Sequence, residues 1–125
     1  MTATGTFEAK LTPQTNYEAT VGRMSIDKQF HGDLEATSKG QMLAVQGAAK
    51  GSAGYVAMER VTGTLSGRTG TFALQHAGTM NRGVADLSVT VVPDSGTGEL
   101  TGLTGKMTID IAGEQHSFEF DYTLE

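Results

Sequence analysis

The amino-acid sequence predicts an all-β fold, a single eight-stranded antiparallel barrel with up-and-down connectivity over residues 1–125. Its 17 Gly and 18 Thr disfavour helices, because Gly costs roughly 1 kcal/mol at a helical position and Thr is restricted at χ1. Thr is instead typical of strands, and Gly of turns and bulges. Apolar and polar residues also alternate along most of the chain, and no segment of about ten residues repeats with a helical period.

Four alternating segments are predicted in the first half of the chain. In residues 7–11, Phe, Ala and Leu alternate with Glu and Lys, and residues 13–16 supply the following turn. Residues 24–30 repeat this alternation and end at a Gly-Asp turn. Residues 34–47 form a more polar segment interrupted by glycine, and a short Ala-Gly-rich loop leads to the fourth segment, residues 55–65.

The second half carries four more segments, at residues 71–80, 84–92, 106–112 and 116–124. The long Gly-rich connection at residues 94–102 superficially resembles a phosphate-binding loop. It lacks both the glycine spacing of the dinucleotide fingerprint and the Lys-Ser/Thr of a P-loop. We therefore expect an inter-strand corner there, with a short helical turn near Glu99 and Leu100.

The turn positions predict how consecutive strands pair. Turns are expected at residues 67–68, 81–82 and 113–114. They pair Val61 with Leu74, Leu74 with Val89, and Ile109 with Phe118. Each register places apolar side chains opposite apolar side chains, as a half-buried sheet requires.

The same register places Glu59 directly opposite His76 on the apolar face, and we predict this pair as the catalytic residues. A carboxylate among apolar side chains is expected to have a raised pKa, and a neighbouring His can share or relay its proton. Gly63 and Gly78 are expected to leave room beside the pair. A purely structural Glu–His contact fits the same sequence, and a register shifted by one residue would separate the two side chains.

The other inward-facing positions are predicted to line a ligand cavity, because an eight-stranded barrel is just wide enough to be filled or to hold one small ligand. The predicted ligand-binding residues are Tyr55, Phe72, Leu74, Leu87, Val89, Phe118, Phe120 and Tyr122. The two tyrosines fit a hydrogen-bonding role, but tyrosines at such positions are more often core residues with the hydroxyl near the barrel mouth.

Composition and spacing disfavour several other classes of partner. The absence of Cys removes disulfides and thiolate metal sites, and 14 acidic against 9 basic residues argue against nucleic acid. His31, His76 and His116 match no zinc-ligand spacing, so neither a metal site nor a cofactor is predicted. No apolar run of about 18 residues and no signal peptide are evident, so no membrane contact and a cytoplasmic location are expected.

Three segments carry motifs of a known family: ATGTF at residues 3–7, ERVTGTLSGRTGTFALQHAGT at 59–79 and VVPDSGTGELTGL at 91–103. Over nearly its whole length the chain resembles an uncharacterised bacterial family assigned to the allene oxide cyclase-like barrels, which are calycin- and dirigent-like. The resemblance implies an eight-stranded barrel with an apolar central cavity, assembled as a dimer or trimer. It also implies relatives that steer the conformation of small apolar substrates.

Three functions are compatible with these observations. The first is a cofactor-independent isomerase, cyclase or lyase that acts on a small apolar molecule, with Glu59 as base and His76 as its proton partner. The second is a non-catalytic carrier or binding barrel for hydrophobic metabolites. The third is a filled barrel whose role is assembly or stability.

Overall fold

The computed structural model describes residues 1–14 and 20–124, and the eight strands in this part of the chain close into one antiparallel barrel. The strands are β1 (Thr2–Pro13), β2 (Gly22–Gly32), β3 (Leu34–Gln46), β4 (Ala53–Leu65), β5 (Arg68–Asn81), β6 (Val84–Val91), β7 (Thr104–Ala112) and β8 (Gln115–Thr123). Each strand pairs with its neighbours in sequence, and β1 closes the barrel against β8. The predicted eight-stranded up-and-down barrel is therefore confirmed.

Each predicted segment overlaps one observed strand, and most strands extend further towards their turns. The backbone ladder continues where both faces are polar, because hydrogen bonding requires no particular side chain. β1, for example, runs to Pro13, and Gln14 then donates its N–H to the carbonyl of Arg23. Thr15 and Asn16 of the predicted first turn lie outside the described residues.

Two hairpin turns lie one residue away from their predicted positions. Ser66-Gly67 joins β4 to β5 and Arg82-Gly83 joins β5 to β6, and all four residues have positive φ (46°, 86°, 48° and 92°). Such two-residue turns match the right-handed twist of the flanking strands, and Gly is favoured at the second position. In both turns the glycine is therefore the second residue. The predicted turns at residues 67–68 and 81–82 do not have glycine at the second position.

The displaced turns change the register of these two hairpins by two residues. Val61 pairs with Phe72 instead of Leu74, and Leu74 pairs with Val91 instead of Val89, so both predicted registers were wrong. The assignment of side chains to faces survives, because the side-chain period along a strand is two. In the last hairpin Ile109 pairs with Phe118, as predicted.

The long connection between β6 and β7 covers one end of the barrel, which we call the closed end. It contains the short 3₁₀ helix Gly98–Leu100, which confirms the predicted helical turn. The N–H of Thr97 donates to the carbonyl of Thr71, which attaches the connection to β5. Leu100 and Leu103 are buried in the core at this end, with exposed fractions of 0% and 1%.

The opposite end carries the β3–β4 and β5–β6 turns, and we call it the open end. Inward-facing apolar side chains remain exposed there: Leu11 at 46%, Met80 at 41%, Leu87 at 39% and Ile111 at 63%. The core therefore fills only part of the barrel. Among residues 1–14 and 20–124, no helix is long and apolar enough to cross a membrane.

Candidate functional site

A buried carboxylate lies inside the barrel and is held by three side chains from three other strands. Glu59, on β4, is only 2% exposed. Its Oε1 accepts a hydrogen bond from Ser38 Oγ at 2.8 Å. Its Oε2 accepts from Lys28 Nζ at 2.8 Å and contacts His76 Nε2 at 2.6 Å. We call these four residues the charged cluster.

Strand pairing explains why these side chains meet. Lys28 and Ser38 are direct partners across β2 and β3, and Gly40 is the direct partner of Glu59 across β3 and β4. A Cβ at Gly40 would overlap the backbone and Cβ of Glu59, so glycine permits the close approach of these two strands. β3 therefore supplies Ser38, which hydrogen-bonds the carboxylate, and Gly40, which leaves room for the backbone of Glu59.

Glu59 and His76 are diagonal neighbours, because Glu59 pairs with Leu74 and His76 pairs with Ala57. Their predicted direct opposition was therefore wrong. Diagonal positions lie on the same face and within reach of long side chains, so the predicted contact between the two groups still forms.

The predicted raised pKa of Glu59 is also wrong. Burial raises the pKa of this carboxyl, but the hydrogen bond from His76 and the positive charge of Lys28 lower it further, to about 2. The counter-charge comes from Lys28 on β2. The prediction considered only the pairing of β4 with β5 and therefore left this charge out. Glu59 is consequently ionised at neutral pH and is a weak base.

The contact with Glu59 leaves one nitrogen of the His76 ring without a protein partner in the part of the chain that the structure describes. An ionised carboxylate only accepts hydrogen bonds, so the short contact assigns the hydrogen of a neutral imidazole to Nε2. Among the described residues, Nδ1 has no protein partner, and no fully buried side-chain nitrogen lacks one. Nδ1 is therefore not completely buried, although the His76 side chain is only 5% exposed, and in this tautomer it carries the free lone pair. Glu59 lies where it orients the ring, and the catalytic roles of the pair stay predictions.

Lys28 was missed by the sequence prediction, together with Ser38. The Lys28 ammonium lies 5.1 Å from the centroid of the Phe7 ring and 5.8 Å from that of Phe30, so aromatic faces complete its environment. Its position in the sequence could have identified it, because Lys28 is two residues from Phe30 in an alternating segment and therefore lies on the same face. A charged residue at an apolar-face position needs a buried partner, and that partner is Glu59.

An apolar cavity of about 350 Å³ occupies the open end. It is lined by Met42, Ala44, Ala53, Gly54, Tyr55, Gly78, Thr79, Met80, Ala85, Asp86 and Leu87. Gly78 is the inward-facing position that follows His76 on β5. The cavity therefore reaches the inward position next to His76, and its lining includes none of the four residues of the charged cluster.

Tyr55 lies on the cavity wall and takes up the space above Gly78. A Cβ at Gly78 would overlap the Tyr55 ring, and one at Gly63 would overlap the neighbouring strand β3. The expectation that these two glycines leave empty room beside the pair is therefore wrong. Burial and the negative charge of Glu59 both raise the pKa of Tyr55, so its hydroxyl stays protonated at neutral pH.

The predicted ligand-binding residues fall into two groups. Tyr55 and Leu87 line the cavity, and Leu87 is partly exposed at its mouth. The other six pack in the core, where Phe120 stacks on Tyr122 at 5.3 Å and on Phe72 at 6.0 Å. These six are Phe72, Leu74, Val89, Phe118, Phe120 and Tyr122. A ligand contact by any of them stays a prediction.

The three histidines are placed apart from one another. His31 is exposed, with Nδ1 3.6 Å from a Glu35 oxygen, and His116 packs its ring edge against Phe7 at 5.2 Å. Among the residues that the structure describes, no group of three or more His, Asp or Glu side chains has the arrangement of a metal site.

Comparisons with known proteins identify relatives without an assigned activity. The family model described as "Protein of unknown function (DUF3224)" matches residues 3–122. The crystal structure of a protein with unknown function from the DUF3224 family of Shewanella oneidensis MR-1 is 52% identical. That match covers 100% of this chain and 97% of the other, with a TM-score of 0.95. None of the curated proteins matches. These findings agree with the resemblance to an uncharacterised bacterial family.

Proposed function

Because this chain belongs to the DUF3224 family, which has no assigned function, we propose a function from the geometry of its open end. The barrel binds a small, mainly apolar molecule in the cavity, and His76 exchanges a proton with it. The reaction class is that of a cofactor-independent isomerase, cyclase or lyase.

The observation that carries this proposal is that the cavity reaches Gly78, the inward neighbour of His76 on β5. Pockets for small molecules are typically concave, mainly apolar and roughly 300–1,000 Å³ in volume, with a few polar groups that orient the ligand. The cavity volume of about 350 Å³ lies at the lower end of that range. Methionine, alanine and leucine side chains form much of its wall, so the favoured ligand is apolar and compact.

The charged cluster supports proton transfer in two ways. The 2.6 Å contact with Glu59 holds the imidazole in one orientation and favours the tautomer with a free Nδ1. The ionised carboxylate also stabilises the imidazolium that forms when Nδ1 takes a proton, as acidic residues do for catalytic histidines in other enzymes. Glu59 is therefore a positioning residue, and His76 is the proposed catalytic residue.

A non-catalytic carrier is the second candidate, and the completeness of the cluster favours it. Both oxygens of Glu59 are hydrogen-bonded, and no buried side-chain nitrogen or oxygen among the described residues lacks a partner. A cluster that satisfies itself is a stable structural element without any reaction. The carrier would use the same cavity and the same class of ligand.

Binding is tested with tetralin, a compact apolar probe, by titration calorimetry. Ala85 lies on the cavity wall, so Ala85→Phe is expected to fill the cavity and weaken tetralin binding at least tenfold. Ala112, at the end of β7, is absent from that wall, and Ala112→Phe is the matched control. If Ala85→Phe binds tetralin as tightly as the control does, the ligand site lies elsewhere.

Proton transfer is tested with phenylnitromethane, an activated carbon acid, by following deuterium exchange at its acidic carbon. His76→Gln retains a side-chain amide that can donate to Glu59, and it is expected to abolish protein-dependent exchange while tetralin still binds. Exchange that is unchanged in His76→Gln would remove the catalytic role and leave the carrier.

The oligomeric state and the cellular location of the protein are also proposals. We expect a homo-oligomer, a dimer or a trimer, in the cytoplasm. Large apolar side chains exposed at outward positions of β3 and β4 support the assembly: Leu43, Val45, Val56 and Met58 are 45% to 52% exposed. Sedimentation equilibrium measures the oligomeric state directly, and a monomer at all protein concentrations would contradict the proposed homo-oligomer.

A further inference from the structure

Tyr55 presents a polar group to the open-end cavity that the proposed proton transfer does not use. Among residues 1–14 and 20–124, no side chain or backbone group hydrogen-bonds its hydroxyl, and because no fully buried side-chain oxygen there lacks a partner, this oxygen is accessible to a ligand. Its ring rests on Gly78, the position where a Cβ would overlap it. The donor is therefore held in place without being satisfied by the protein.

This hydroxyl and the His76 ring act on the same region of a bound molecule. Gly78 and His76 are successive inward positions of β5, and two residues of a strand span roughly 6.6 Å. A ligand that lies in the cavity against Tyr55 is therefore next to a hydrogen-bond donor and one inward position away from His76.

The ligand group opposite Tyr55 is more suitably neutral than anionic. The negative charge of Glu59 acts on the Tyr55 hydroxyl, and no Lys, Arg or His is among the described residues that line the cavity. The nearest buried cation, Lys28, already pairs with Glu59 at 2.8 Å. A carboxylate ligand would meet this negative field, whereas a carbonyl oxygen accepts a hydrogen bond without bringing a charge.

We infer that the ligand is an apolar ketone or enone, whose carbonyl oxygen accepts a hydrogen bond from Tyr55 and whose adjacent C–H faces His76. The inference rests on the proposed function and names its substrate class. Nδ1 takes the proton from the carbon next to the carbonyl, the C–H electron pair forms a C=C bond, and the C=O π pair moves to the oxygen that Tyr55 hydrogen-bonds. In a β,γ-unsaturated enone the resulting dienolate takes the proton back from the imidazolium at its γ-carbon, so substrate and product are isomers; in a saturated ketone the proton returns to the same carbon, which is observed as exchange.

The test compares two probes of nearly equal shape, tetralin and 2-tetralone, in the wild type and in Tyr55→Phe. Tyr55→Phe keeps the ring on Gly78 and removes only the hydroxyl. It is expected to leave tetralin affinity unchanged and to weaken 2-tetralone binding by about 3- to 10-fold, the value of one neutral hydrogen bond. Deuterium exchange beside the ketone carbonyl is expected to fall by about 100-fold, as for loss of one oxyanion donor.

Tyr122→Phe is the matched control, because Tyr122 lies in the packed core and not on the cavity wall. Tyr122→Phe should change neither the affinity for the two probes nor the deuterium exchange of 2-tetralone. If Tyr55→Phe binds and exchanges 2-tetralone as the wild type does while tetralin still binds, the carbonyl assignment is overturned and the apolar binding site stands. If the wild type binds neither probe, both the assignment and the proposed function fall.

Discussion

His76 Nε2 lies 2.6 Å from Glu59 Oε2, although the two residues are diagonal and not direct partners across β4 and β5. The contact joins a carboxylate whose pKa is lowered to about 2 to an imidazole whose second nitrogen is free of protein partners among the described residues. The carboxylate therefore acts as a fixed negative charge beside the imidazole.

Removing the charge of Glu59 should destabilise the barrel, because Lys28 would be left buried without its counter-ion. We expect Glu59→Gln to lower the free energy of unfolding by about 3–5 kcal/mol, the usual effect of breaking a buried ion pair. Urea denaturation measures the change. Glu119→Gln, at an exposed position on β8, is the control and should stay within about 0.5 kcal/mol of the wild type.

Stability should also depend on pH through Glu59. Its pKa in the folded barrel is about 2, against an ordinary value of 4.5, so the unfolded chain binds the proton more tightly. The contribution is fully present above pH 4.5 and is lost as the pH falls through the folded pKa; it amounts to about 3 kcal/mol. Urea titrations from pH 6 down to pH 2 should show this loss in the wild type. An equally steep loss in Glu59→Gln would assign it to other carboxyl groups.

Lys28 should set the charge state of Glu59. In Lys28→Met the apolar side chain still packs against Phe7 and Phe30, but the positive charge is gone. Burial then raises the pKa of Glu59 with less opposition, so the pKa should move upward from about 2. NMR titration of the Glu59 side-chain carboxyl carbon measures the shift. Lys10→Met, at an exposed position, should leave that titration unchanged.

Gly78 should be required for the position of Tyr55. Gly78→Ala places a Cβ inside the ring position, so we expect a loss of about 1–3 kcal/mol of stability and a displaced ring. Gly54→Ala is the matched control on the same cavity wall, since its Cβ would meet no atom closer than 3.9 Å. Similar unfolding free energies for the two variants would show that Tyr55 is free to move.

Part of the candidate site could be predicted from alternation alone. Glu59 and His76 share the parity of buried neighbours such as Val61 and Leu74, and parity survives a register error of two residues. The turn chemistry at Ser66-Gly67 decides the register itself, and placing that turn one residue late, at residues 67–68, was enough to shift the predicted pairing by two residues.

The rest depended on contacts between distant parts of the chain. Lys28 is 31 residues from Glu59 in sequence, and only the successive pairing of β2, β3 and β4 brings its ammonium to the carboxylate. Its parity marked it as inward-facing, but parity does not identify a partner.

The sequence by itself determined the eight alternating segments, the barrel and the inward set that includes Glu59, His76 and Tyr55, because local periodicity specifies which face a side chain occupies. Only the tertiary structure decided the charge state of Glu59 and the location of the cavity. Both follow from barrel closure: it buries Lys28 against Glu59, covers one end with the β6–β7 connection and, among the described residues, leaves inward apolar side chains exposed at the other end. A pKa and a cavity both depend on all the neighbouring atoms, and those atoms belong to several strands that are distant in sequence.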